Sequence, residues 1–171
     1  MENYHVGDAV MCGIHGVCHV TEISVRAFCG EKAPYYTLKP IMSAYSTLYL
    51  PVGKPQTASR MRPLMDGEKI DALLRELPRM ASLWTENASD RKDRFAALIK
   101  RNDPSEFAAL VKTLYRARAD ADTTGKKMHA ADERALADAE RLLFDEISFV
   151  LGLPREDVAP MFRRALEAAE G

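Results

Sequence analysis

Long apolar runs are missing from these 171 residues: no stretch approaches the roughly 20 apolar side chains that a bilayer-spanning helix needs. Met1 to Asp8 has no basic and then apolar pattern of a secretory leader, so a cytoplasmic location is expected. Cysteine is scarce, with only Cys12, Cys18 and Cys29. An odd number without a leader argues against a disulfide framework and for free, buried thiols. Cys12, His15 and Cys18 fall close together, but there is no CxxC pair and no convincing fourth ligand, which excludes a zinc site. An excess of one charge is also lacking. With 24 basic and 25 acidic side chains the net charge is −1, so no global positive field draws the molecule to nucleic acid. Any DNA contact has to be local or assisted.

Catalytic signatures are absent as well: there is no GxSxG, no P-loop, no HExxH, and no GxGxxG between a strand and a helix. His5, His15, His19 and His129 are scattered. The expectation is a protein that is not an enzyme, with no cofactor and no small-molecule substrate. What the chain does have is an apolar share of 47%, ordinary for a globular core, and two halves of different periodicity.

The first half is rich in β-branched and aromatic residues. Val6, Val10, Ile14, Val17, Val20 and Ile23 supply an apolar side for two strands, with Gly13 to Gly16 reversing the chain between them. Asp8 after Gly7 caps a turn with its own side chain. Strands are predicted at Ala9 to Met11, Val17 to Ser24, Tyr35 to Pro40 and Ser46 to Pro51, separated by Gly30 to Pro34 and a polar stretch near Met42 to Tyr45. Together they read as one small antiparallel β-barrel. Lys54 to Pro63 reads as an extended connector, with few helical residues before Met65.

From Asp66 onward the apolar period becomes about 3.6. Ile70, Leu73, Leu74 and Leu77 mark a first helix that stops at Pro78. Phe95, Leu98 and Ile99 mark a second. Asp103, Pro104 and Glu106 give an N-cap, a proline at N1 and a glutamate at N3 for a third, with Phe107, Leu110, Val111 and Leu114 buried. A fourth helix starts near Ala130 with Leu136, Leu143, Ile147 and Val150 on one side and ends at Gly152. Pro154 opens the last, through Val158, Met161, Phe162 and Leu166. Ala117 to Met128 is predicted as a loop or frayed helix end. Asp132-Glu133 and Asp145-Glu146 are expected as surface carboxylates. The fold class is therefore α+β: a β-barrel at 1–65 and an all-α domain at 66–171.

Trp84 is the only tryptophan. If the segment is helical from Trp84, Ala88, Arg91 and Phe95 share its face, which sets an aromatic plane beside a guanidinium. Such a pair suits a nucleic-acid backbone, because arginine binds phosphate bidentately while a ring wedges beside an unstacked base. The plain alternative is that Trp84 packs between helices and Arg91 pairs with a carboxylate. Lys92 adjoins Arg91. Lys126 and Lys127, with Lys112, Arg116 and Arg118 upstream, form a second candidate patch for salt-sensitive phosphate contact.

With these residues placed, the chain resembles the CarD family of bacterial transcription regulators over nearly its whole length. Val6 to Val10, Gly13-Ile14-His15-Gly16-Val17, Val20 to Ile23, Tyr35 to Leu38, Leu48-Tyr49-Leu50-Pro51 and Arg60 to Leu64 carry the likeness. The first module is also similar to the polymerase-binding domain of transcription-repair coupling factor. The resemblance implies a Tudor-like barrel that pairs strand-to-strand with the RNA polymerase β subunit, and a helical domain that touches promoter DNA and stabilises the open complex. It implies a polymerase contact at Arg26 and along Leu48 and Tyr49, and a minor-groove contact by Trp84, with Arg91, Lys92, Lys126 and Lys127 as further DNA candidates. Tyr49 stands where a well-known branch has a second arginine, and Glu133 falls near a basic position of that branch. Nucleoid association would follow through the polymerase. The rival readings are a polymerase-docking module without DNA contact and a small enzyme with a helical lid.

Overall fold

The structure is a computed structural model that describes residues 3–43 and 45–168. The chain divides into two compact units, Met1–Leu64 and Met65–Gly171. The first holds strands β1 (Ala9–Cys12), β2 (Val17–Phe28), β3 (Glu31–Pro40), β4 (Leu48–Pro51) and β5 (Met61–Pro63), with a short helix α1 (Pro55–Ala58) before β5. The second holds α2 (Gly67–Glu76), α3 (Ala88–Arg101), α4 (Pro104–Thr124), α5 (Ala130–Leu151) and α6 (Arg155–Glu167). The α+β class stands.

The strands form one antiparallel sheet in the order β4-β3-β2-β1-β5. Val10, Cys12, Cys18, Val20, Tyr36, Leu38, Leu50 and Met61 make its core, with Tyr4, Leu48 and Val52 packed against them. Alternation along each strand puts these side chains on one face. Val6, Ile14 and Ile23, expected on that face, are exposed. Val6 and Ile14 fall in the turns that flank β1, and a register shift between Val20 and Glu22 turns the later part of β2 over. The expected connector after Lys54 is α1 followed by β5, which pairs with β1. Thr57 on α1 donates its hydroxyl to the Pro51 carbonyl and fixes that turn. Among the described residues no ladder joins β4 to β5, so the sheet is open instead of a closed barrel.

The β2–β3 hairpin is longer than its hydrophobic pattern, reaching Phe28 and restarting at Glu31. Only Cys29 and Gly30 separate the strands, and both have positive φ, at 51° and 83°. That is the geometry a two-residue turn needs to match strand twist. Gly30 adopts it freely, whereas Cys29 does so against its own Cβ. It also leaves Cys29 exposed, while Cys12 and Cys18 are buried as expected; all three thiols are free. Asp8 accepts from the His5 backbone N–H at 2.7 Å, as its turn position required.

In the helical unit α5 is central and packs against α2, α3, α4 and α6. The apolar stripes meet there: Phe95, Leu98, Phe107, Leu110, Leu114, Leu136, Leu143, Ile147, Val158 and Phe162 are buried. Side-chain caps start three of the helices, at Asp103 as expected and also at Asp66 and Asn87. Asp66 accepts from Lys69 N–H, Asn87 from Ser89 and Asp90, and Asp103 from Ser105, each at about hydrogen-bond optimum. The segment expected as a loop or frayed helix end from Ala117 is helical to Thr124 and stops at Gly125, in the left-handed conformation with φ 70°. Ala117, Arg118, Ala119 and Ala121 carry good helix propensity even without an apolar stripe.

Three carboxylates expected on the surface are buried: Asp132, Asp145 and Glu146, whereas Glu133 is exposed. Asp145 meets Arg155 at 2.7 Å, and burial, opposed by that arginine, pushes its carboxyl above the usual range. Glu146 accepts from the Met65 backbone N–H at 2.8 Å. Asp132 belongs to the site described next.

Candidate functional site

One candidate lies on the sheet. β4 is an edge strand that pairs only with β3 among the described residues, so it can take a further strand on its other side. Alternation sends Leu48 and Tyr49 opposite ways. Leu48 packs against the unit's own core, so what it offers a partner is backbone. Tyr49 points outward into a cluster with Phe28, 5.5 Å away between ring centroids, and Phe28 meets Tyr35 at 4.7 Å. The Arg26 guanidinium stands 4.7 Å over the Tyr49 ring and donates Nη2 to Glu22 at 2.9 Å. Its Nε is buried with no hydrogen-bond partner among the described residues. Arg26 and Tyr49 therefore form one exposed aromatic and cationic patch beside an unpaired edge.

The second candidate lies in the helical unit. A strap without regular structure runs from Met80 to Asn87 between the turn that ends at Arg79 and the start of α3. Trp84 sits in this strap and not in a helix, because Asn87 caps α3 three residues later. The strap has no ladder of its own and is pinned from outside. Lys112 on α4 donates to the carbonyls of Leu77, Pro78 and Met80 at 3.1, 2.8 and 2.7 Å. With three carbonyls on it, that ammonium is a structural tie and not part of a phosphate patch, and its burial lowers its pKa. Thr113 accepts from Leu83 N–H at 3.0 Å, and Ser82 Oγ accepts from Trp84 N–H at 3.2 Å.

Arg91 lies beneath the strap and is only 2% exposed. Its Nε and Nη2 donate to the two oxygens of Asp132 at 2.9 and 2.7 Å, and Nη1 to the Thr85 carbonyl at 2.8 Å. Its charge centre is 4.0 Å from the centroid of the Trp84 ring. The bond to Asp132 raises the arginine pKa in spite of burial. Arg91 thus stands beside the indole, as the spacing suggested, but its donors face the protein and none is presented to a phosphate. This corrects its expected part in DNA contact: the plain alternative, pairing with a carboxylate, is what the fold uses.

Above the strap lies a groove of about 450 Å³. Trp84, Arg116, Asp120, Lys126, Lys127 and His129 are among its walls. Residues 84, 116 and 126–127, far apart in sequence, are brought to one place because α4 runs on to Thr124 and turns at Gly125 beside the strap. Glu86 and Asp120 share the walls, so the groove is mixed in charge. Lys92 is exposed on α3 and does not line it. Thr113 and Asp132 were missed as parts of the site. The signal for Asp132 was available: at four, seven and eleven residues before Leu136, Ala139 and Leu143 it falls on the buried stripe of α5.

Residues 4–65 match the family model described as CarD-like/TRCF RID domain. The amino-terminal unit is a CarD-like/TRCF RID domain. It is a domain of the RNA polymerase-interacting kind found in transcription factors, and the open sheet edge belongs to it. Beyond it, the Bacillus subtilis (strain 168) protein named "Putative transcription factor YdeB" is 24% identical over 162 residues, covering 91% of this chain and 97% of that protein. The similarity therefore runs through the helical unit as well as the CarD-like domain. No helix among the described residues is long and apolar enough to cross a membrane.

Proposed function

We propose that residues 1–65 dock on the β subunit of RNA polymerase by adding a strand to the free edge of β4, with Arg26 and Tyr49 reading the neighbouring surface. Residues 66–171 then carry Trp84 to promoter DNA, where the indole enters the minor groove at the edge of the melting region and stabilises the open complex. Arg116, Lys126 and Lys127 hold the flanking phosphates. The observation that carries this reading is the meeting of the lone tryptophan with three cations around one groove, in a chain whose other unit is a polymerase-interacting domain.

A net charge of −1 fits a tethered mode. Once one contact is made, the second is intramolecular at an effective concentration of about a millimolar, so few phosphate contacts suffice. An indole that inserts between base steps favours the unstacked duplex by its differential affinity for that state. Nucleoid association follows from residence on the polymerase.

Trp84→Ala is expected to leave polymerase binding unchanged and to shorten the lifetime of open promoter complexes, by about tenfold for a loss of roughly 1.4 kcal/mol of stacking. Equal lifetimes for variant and parent contradict the DNA contact and favour a docking module that acts through protein alone.

A further inference from the structure

We infer that the buried Arg91–Asp132 pair is a positioning element for Trp84: it sets the plane and stance in which the indole is presented, and acts on DNA through that ring alone. The inference rests on the proposed DNA contact of Trp84 for its consequence, but not for its geometry.

The accounting of the guanidinium donors leads there. Nε and both Nη atoms are bonded to Asp132, Thr85 and Glu86, the last at 3.4 Å. Four of the five N–H groups are used in this way, and the guanidinium carbon lies 4.0 Å over the indole centroid. A guanidinium held along one edge by the bidentate Asp132 carboxylate and at Nη1 by the Thr85 carbonyl cannot rotate, so its plane is fixed and so is the ring that lies over it. A lysine at the same place would keep the charge and lose the plane.

Among the described residues, the hydrogen bonds that hold the strap at Leu83 and Trp84 do not orient the ring. The strap's backbone is tied at Leu83 by Thr113 and at Trp84 by Ser82, both on the main chain and neither on the side chain. Stability does not account for the pair either, since a buried ion pair is often no better than apolar residues of equal volume. A plane of defined orientation under an aromatic ring is something apolar residues would not supply. Asp132 lies in the first turn of α5 and Arg91 near the start of α3, so the indole is registered against two helices at once.

The test uses the full chain, whose single tryptophan is its own probe. Asp132→Asn removes the charge and keeps the shape; Arg91→Lys keeps the charge and removes the plane. Both are compared with the parent at a temperature where far-UV circular dichroism is unchanged, and Arg91→Lys alone decides if Asp132→Asn melts below it. Loss of the stacking platform is expected to raise acrylamide quenching of Trp84 by about twofold and to lower its anisotropy. In open promoter complexes each variant is expected to shorten the lifetime about fivefold, and to have no further effect when Trp84 is already alanine. Unchanged quenching and anisotropy would overturn the inference, as would an equal shortening in the Trp84→Ala background. Should Trp84→Ala itself leave the lifetime unchanged, the DNA reading fails while the fluorescence still decides the positioning.

Discussion

At the scale of single residues, burial separates groups that composition treats alike. Cys29 in the β2–β3 turn is exposed, whereas Cys12 and Cys18 lie in the sheet core, where the thiol of Cys18 is held protonated by its neighbour Cys12 and by burial. One cysteine is therefore expected to react with a thiol reagent in the native protein and two more only in denaturant, counted by mass; rapid native labelling of all three contradicts the core packing. Asp145 gives a pH signature. Burial raises its folded pKa above the unfolded value, in spite of Arg155, so its favourable contribution is fully present below the ordinary carboxylate pKa and is lost as pH rises through the folded one. The stability of Asp145→Asn is thus expected to gain on the parent as pH rises from the ordinary carboxylate range toward neutrality in thermal melts. A gain for the parent over that range contradicts the sign. None of the buried carboxylates was read from residue type, because Asp and Glu in a helix are surface residues by default and only the partner, Arg91 for Asp132, Arg155 for Asp145 and the Met65 N–H for Glu146, makes burial tolerable.

At the scale of elements, capping and apolar spacing carried most of the helical unit. Asp66, Asn87 and Asp103 each hold the N-terminus they were suited to, and Gly152 ends α5 in the left-handed conformation. Less legible were features set by tertiary partners. The strap at 80–87 cannot be told from a helix by its residues, since its conformation depends on Lys112 and Thr113 of α4 and Arg91 of α3. The third residue of β5 is Pro63, and pairing of so short a strand with β1 rests on the sheet already being formed. The turn at Cys29-Gly30 invites improvement. Asparagine tolerates positive φ better than cysteine, so Cys29→Asn is expected to stabilise the protein by about 0.5 to 1 kcal/mol in thermal melts. A lower melting temperature would contradict the turn assignment.

At the scale of the whole molecule, the proposed function has the two units divide the work that a near-neutral chain cannot do with one surface. The CarD-like domain offers an unpaired strand edge with Arg26 and Tyr49 beside it, and the helical unit offers an indole with Arg116, Lys126 and Lys127 around its groove. The candidate residues for each contact were legible as residue types. What the sequence did not reveal was that Leu48 and Arg91 face their own cores, because facing is fixed by strand register in one case and by a distant aspartate in the other. The account turns on the edge delivering the indole to the duplex. Its most direct test is a photo-crosslinker at position 84 in polymerase–promoter complexes. The account predicts crosslinks to DNA at the upstream edge of the melted region that require polymerase and are lost with Arg26→Glu; crosslinks to protein only, or DNA crosslinks indifferent to Arg26→Glu, would contradict it.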